Sequence, residues 1–200
     1  MQQQTNWSAI LIGGTSGVGK TYLAQQLGER YGISHMDADD LRIGLRTITT
    51  RETHPELFTF VDNQNYLAEF IEEEFVKKLL KVGATVSLAM DDIISRHVGF
   101  DEKIIIDGDS IIPSLLAKRS QEGIKAIFLY DDFENIRERQ LKRNRNKKRT
   151  PEKMETNSRF SYAYSEALRI QAEEYGFQTI KASPIETLFE RVISILEVSS

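Results

Sequence analysis

The chain has 200 residues, 40% of them hydrophobic, and carries a formal net charge of −4 with a pI near 5.5. That is enough chain to bury a core, and the acidic balance excludes a protein that coats nucleic acid through its overall charge. The absence of cysteine excludes disulfides and thiolate metal sites and fits a reducing cytosol.

Residues 1–7 are polar and uncharged, with neither a basic n-region nor an apolar h-region, so no signal or transit peptide is expected. No apolar run approaches the roughly 18 residues of a membrane span. The expectation is a soluble, cytoplasmic protein with no membrane partner.

Residues 8–12 form a short apolar run ending in Gly13-Gly14, which predicts a buried strand entering a glycine loop. Residues 20–31 place Leu23, Ala24 and Leu27 on one face of a helix. A second strand is predicted over 33–36, closed by Asp37-Ala38-Asp39-Asp40. Asp39 or Asp40 is placed to cap a helix reaching about Leu45. Residues 48–63, with Pro55 and weak periodicity, read as a loop. Helical spacing returns over 66–80 and again, as a second helix, over 84–97.

Ile104-Ile105-Ile106, within 103–107, is the continuous apolar run of a parallel strand buried on both faces. A short helix over 111–120, a strand over 125–130 and a strongly basic helix from Glu134 follow. After a turn at Thr150-Pro151 come a long helix to about Tyr175, a strand over 178–181 and a last helix over 185–197. Strands alternating with helices predict an α/β fold with right-handed crossovers. The expected architecture has three layers: a five-stranded parallel sheet covered by helices on both faces, with a helical lid. One domain is expected over 1–200, its lid at approximately 137–158.

Gly14-Thr15-Ser16-Gly17-Val18-Gly19-Lys20-Thr21 satisfies G-x-x-x-x-G-K-[ST]. Glycines let the backbone wind so that successive N–H groups face one concavity and meet phosphate oxygens. Lys20 would neutralise the β- and γ-phosphates of ATP, the Thr21 hydroxyl would bind Mg²⁺, and the helix opening at Lys20 adds its positive end. The preceding strand and following helix separate this motif from a chance glycine turn.

Such a loop needs a carboxylate at the end of another strand to hold the Mg²⁺ through water. Asp107, closing its apolar strand, has that context, with Asp109 an alternative. Asp37, Asp39 and Asp40 follow the second strand on the same sheet edge, where one could take the proton of an acceptor hydroxyl and at least one caps a helix. Arg42 shares a helical face with Asp39 at i, i+3, which suits an acceptor bearing a hydroxyl and an anionic group, or simply a surface ion pair.

Eight of the fourteen residues from Ile136 to Arg149 are Lys or Arg. Charge localised this way in an acidic chain fits a lid over phosphates, with Arg139 and Arg143 on one face. It also fits a nucleic-acid footprint, although the segment has no aromatic residue to stack bases, so nucleic acid is not favoured.

On these residues the chain resembles a known family. The run Gly13-Gly14-Thr15-Ser16-Gly17-Val18-Gly19-Lys20, the segment Asp37-Ala38-Asp39-Asp40-Leu41-Arg42 and the basic helix resemble the kinase domain of the 2-phosphoglycerate kinases. Those belong to the P-loop kinases with the nucleoside-monophosphate-kinase fold. Leu45-Arg46-Thr47-Ile48 leading to Thr53-His54-Pro55-Glu56-Leu57 is similar to that family's acceptor-side segment. The stretch from Ile105 through Gly108 to Pro113 resembles its strand-Gly-x-x-x-x-Pro segment, and Arg159-Phe160 through Arg169-Ile170-Gln171 its post-lid helix. The family usually has a histidine shortly after the glycine matching Gly108, where this chain has Asp109-Ser110.

The acid segment is also similar to that of polynucleotide 5′-kinases and zeta-type kinases. That resemblance implies that Asp39 is the general base and that Arg42 contacts an acceptor phosphate. Ala182-Ser183-Pro184 falls where related kinases place a loop against the adenine. The expected activity is transfer of the γ-phosphate of ATP, with Mg²⁺, to the hydroxyl of a small anionic acceptor such as 2-phosphoglycerate. Lys20, Asp39, Arg42, Arg139 and Arg143 would form the catalytic set. A polynucleotide or nucleoside kinase and a regulatory nucleotide switch are the alternatives.

Overall fold

The first strand, β1 (Ala9–Gly14), alternates its side chains between two apolar layers: Ile10 and Ile12 point into one, Ala9 and Leu11 into the other. In the computed structural model, which describes residues 7–63, 65–143 and 150–198, this strand is the middle of the sheet. The other strands are β2 (Ser34–Asp37), β3 (Ile104–Gly108), β4 (Ile124–Tyr130) and β5 (Gln178–Lys181). All pairings are parallel, in the order β2-β3-β1-β4-β5. The sheet of five parallel strands agrees with the sequence reading.

Helices cover both faces because both faces of every central strand are apolar. On one side α1 (Lys20–Tyr31) and α9 (Leu188–Val198) enclose Ile10, Ile105, Ile127 and Leu129. On the other, α5 (Glu72–Gly99) and α8 (Pro151–Glu174) cover Leu11, Ile104, Ile106 and Phe128. Each such fully buried side chain contributes about 1.5–3 kcal/mol through removal from water. Between them run α2 (Ala38–Ile48), α3 (Pro55–Asp62), α4 (Tyr66–Glu69), α6 (Pro113–Leu116) and α7 (Phe133–Arg143). Among the described residues no helix is long and apolar enough to cross a membrane.

Three local expectations are corrected. The 48–63 segment is not a plain loop: α3 starts on Pro55 and buries Leu57 and Phe58. The helices expected over 66–80 and 84–97 are instead the single turn of α4 followed by the 28-residue α5. Gly83 lies inside α5 without ending it, because a Cβ there would come within 2.7 Å of the Ile112 side chain. Close packing, not a break, is what glycine provides at that position. The helix expected over 111–120 shrinks to α6, its start set by Pro113.

The register decides where chemistry collects. Ile12 lies beside Asp107, Gly13 beside Gly108, and Asp37 beside Asp107. The carboxyl ends of β1, β2 and β3 therefore open onto one edge, as in open α/β sheets generally.

Candidate active site

Gly14, Gly17 and Gly19 take φ values of +140°, +96° and +90°, where a Cβ is strongly disfavoured. A Cβ on Gly14 would also lie 2.5 Å from the Leu129 carbonyl oxygen. The loop so formed leads into α1, and among the described residues no backbone carbonyl takes up the N–H groups of Ser16 to Gly19. That concavity of amides, with the helix end behind it, is built for an anion of phosphate type. The Lys20 ammonium bends back to donate to the Thr15 carbonyl at 3.0 Å.

Thr21 Oγ1 donates to Asp107 Oδ2 at 3.0 Å, bringing together two residues 86 positions apart. Asp107 is buried, and its second oxygen meets His35 Nε2. A hydroxyl and a carboxylate, both hard oxygen donors, suit Mg²⁺, which keeps most of its waters and needs few protein ligands. No cluster of three or more His, Cys, Asp or Glu able to cage a metal exists among the described residues. Asp109, the alternative, lies on the other side of this edge beside Asp39.

The three acids after β2 divide their roles. Asp37, not Asp39 or Asp40, caps α2: its carboxylate accepts from the Asp39 N–H at 2.8 Å. Burial raises its pKa, only partly offset by that bond. Asp39 turns instead to a cleft beside the loop, where its Oδ1 lies 3.1 Å from Arg42 Nη2. This is a charge contact without hydrogen-bond alignment; Asp39 Oδ1 and Arg42 Nε are shut from solvent with no hydrogen-bond partner. Thr15, Ser16, Asp109, Asn157 and Ser161 complete the polar lining of this cleft of about 290 Å³, and Phe60, Tyr66, Phe75 and Leu79 form an apolar wall.

Asp109 lines the cleft and is partly buried. Burial, then the Asp39 charge, push its carboxyl up to about 6, against the pull of Arg42 and Lys20. Because the folded-state value lies above the ordinary 3.8, folding holds this proton more tightly than the unfolded chain does. Its contribution to stability is full below pH 3.8 and is lost as pH rises through about 6. Asp109→Asn should remove that loss, making the protein about 3 kcal/mol more stable at pH 8 relative to wild type. Urea melts at pH 4, 6 and 8 check this; a wild type–variant difference that does not grow with pH would contradict it.

On the opposite side of the loop, at the ends of β4 and β5, a second network forms. Asp131 is buried and accepts from Arg139 Nη1 at 2.6 Å, Ser183 Oγ at 2.7 Å and Asn135 at 2.9 Å. Burial pushes its pKa up, but these bonds together outweigh it and the net direction is down. Arg139 also donates to the Gly17 carbonyl at 3.2 Å and to Ser183 Oγ at 3.0 Å. Its guanidinium is thus part of the outer wall of the glycine loop, away from Asp39. Next to it, buried Gln140 donates to the Ser16 carbonyl and to Ser161 Oγ and accepts from Asn157 and Ser158.

Arg139 and Gln140 thus seat α7 on the glycine loop, and the Gln140 bonds with the Arg137–Glu155 pair tie α7 to the first turns of α8. Arg143 lies exposed at the end of α7, and residues 144–149, the rest of the basic run, lie outside the described residues. Sequence reading missed Asp131 and Gln140. Asp131 carried a signal, since it closes the apolar strand β4 as Asp107 closes its own.

The chain is 27% identical over 112 residues to the 2-phosphoglycerate kinase of Methanopyrus kandleri, covering 54% of this chain and 34% of that protein. It is 28% identical over 143 residues to the 2-phosphoglycerate kinase of Pyrococcus horikoshii, covering 70% and 48%. It therefore spans less than half the length of these relatives. In fold it is similar to shikimate kinase from Acinetobacter baumannii, with a TM-score of 0.57 at 18% identity over 98% of this chain and 96% of that one. Shikimate kinase from Bacteroides thetaiotaomicron gives 0.52 at 19% identity over 94% and 98%. The profile of the AAA_18 family, described as an AAA domain, matches residues 10–159, the span holding the glycine loop, Asp39 and Asp107, and the chain belongs to that family.

Proposed function

We propose that the chain is an ATP-dependent, Mg²⁺-requiring phosphotransferase that moves the γ-phosphate to a hydroxyl of a small acceptor. The observation that carries this reading is the placement of Asp39 and Arg42 in a cleft whose rim is the glycine loop itself, through Thr15 and Ser16. The loop amides, from Gly14 through Val18 and Gly19, and Lys20 hold the β- and γ-phosphates. Thr21 and Asp107 would hold the Mg²⁺, which would supply neutralisation of the charge developing on the phosphates.

Asp39 accepts the proton of the acceptor hydroxyl as its oxygen bonds to the γ-phosphorus and ADP leaves with the electron pair of the broken P–O bond. Arg42 meets an anionic group of the acceptor. The γ-phosphate faces the cleft over β2 and β3, so the rest of the nucleotide extends over β4 and β5, where Arg139, Asp131 and Ser183 wait. We therefore assign Arg139 to the nucleotide side and Arg143 to the closing lid. The curated relatives are named for 2-phosphoglycerate, which makes that compound the first acceptor to assay. The lack of cysteine suits a cytoplasmic enzyme.

Calorimetry with ATP or a nonhydrolysable analogue, with and without Mg²⁺, is the test. Uptake that requires Mg²⁺ and ADP release that requires an acceptor are expected. Absence of Mg²⁺-dependent uptake would refute the proposal. Nucleotide uptake with slow hydrolysis and no acceptor from a broad panel would favour a regulatory switch.

A further inference from the structure

The cleft beside the glycine loop is lined by three aromatic rings as well as by polar groups. Phe60, Tyr66 and Phe75 form one wall and are each only half-buried. They brace one another: Phe60 meets Tyr66 edge-on at 5.2 Å, Tyr66 stacks with Phe75 at 6.0 Å and 19°, and Phe75 backs onto buried Phe160 at 4.8 Å. Rings fixed in this way offer a rigid platform at little entropic cost, and base–aromatic stacking is worth about 1–3 kcal/mol per base. The facing wall is polar: Asp39, Asp109 and Asn157 present hydrogen-bonding groups, and Arg42 is the one cation lining the cleft among the described residues.

Charge argues in the same direction. Asp39 and Asp109 line the cleft together, beside Arg42. A cleft with two carboxylates and one guanidinium is poorly matched to an acceptor carrying both a carboxylate and a phosphate. It is well matched to a molecule with several hydroxyls, at most one anionic group and a flat ring. The volume of about 290 Å³ is also of the order of pockets for ring-bearing ligands, about 300 Å³ and upward.

We infer that the acceptor is a nucleoside-like compound: a hydroxylated moiety facing Asp39 and Asp109, with a planar aromatic ring lying against Phe60, Tyr66 and Phe75. This rests on the phosphotransferase reading and narrows its substrate class. In the step itself a sugar-type hydroxyl oxygen forms the new bond to the γ-phosphorus, its proton passes to Asp39, and ADP departs.

The test measures ADP release with ribonucleosides, nucleoside monophosphates and pyridoxine as ring-bearing probes, against 2-phosphoglycerate and glycerate. Mg²⁺–ATP binding is followed separately by calorimetry. Ring-bearing probes should have the higher kcat/KM, by about tenfold or more. Tyr66→Ala should raise their KM about tenfold, leaving nucleotide affinity unchanged, and Tyr66→Phe should restore it. Equal or better turnover of the ringless acids overturns the inference. So does a KM unmoved in Tyr66→Ala and Phe60→Ala, or no turnover of any ring-bearing probe while Mg²⁺–ATP still binds. Loss of Mg²⁺–ATP binding in the wild type would instead refute the phosphotransferase reading beneath it.

Discussion

Lys20→Ala is expected to reduce phosphoryl transfer by at least about 10³-fold while leaving the fold intact. A fixed cation on a transferring phosphoryl group acts where negative charge is concentrated and water is excluded, and removing one such charge costs about 4 kcal/mol of transition-state stabilisation. The structural cost is small by comparison. The ammonium makes one bond, to the Thr15 carbonyl, at a partly solvated position, worth about 1 kcal/mol. Steady-state ADP release with saturating acceptor gives the rate, and thermal melting separates a catalytic from a folding defect. Full activity in a folded Lys20→Ala protein would remove the loop from the mechanism.

Asp39→Asn should lower kcat by about 10²–10⁴-fold, the range ascribed to a positioned general base. Asparagine keeps the shape and the contact with Arg42 but cannot accept the proton. Nucleotide affinity should stay within about twofold, since Asp39 faces the cleft and not the loop amides. A second readout distinguishes loss of the base from general disruption. The Asp39 charge is one of the forces holding the Asp109 carboxyl near 6, so in Asp39→Asn that carboxyl should titrate lower, closer to its ordinary range. Carbon-detected NMR titration of Asp109 reads this directly. An unchanged rate would assign proton removal elsewhere, and Asp109 is the nearest candidate.

Local pattern alone singled out Lys20, whereas it left Asp37, Asp39 and Asp40 open and the family resemblance pointed to Asp39. Lys20 follows a glycine spacing that only a phosphate-cradling turn requires, and it sits between an apolar strand and an amphipathic helix. Asp39 and Arg42 are three residues apart on a helix, and the structure brings them within 3.1 Å. The sheet was legible for the same reason: uninterrupted apolar runs such as Ile104-Ile105-Ile106 have few solutions other than a strand covered on both faces.

Helix boundaries were less legible. Gly83 looks like a break in a one-dimensional pattern, yet α5 runs through it because Ile112, 29 positions away, occupies the space a side chain would need. Pro55 suggested a loop, although proline is at home in the first turn of α3. The basic segment invited a reading of Arg139 and Arg143 as equivalent. Only the fold shows that Arg139 is bound to buried Asp131 and Ser183.

The sequence by itself determined the α/β class, the order of the strands along the chain, the glycine loop and the presence of carboxylates on one sheet edge. Each of these is written in a contiguous stretch whose backbone geometry is set by its own residues. Tertiary structure alone decided which other distant groups meet: Asp39 with Asp109, Arg139 with Asp131, and an aromatic wall with the cleft beside the glycine loop. Those meetings depend on strand register and on the packing of helices far apart in the chain, and no local periodicity records either.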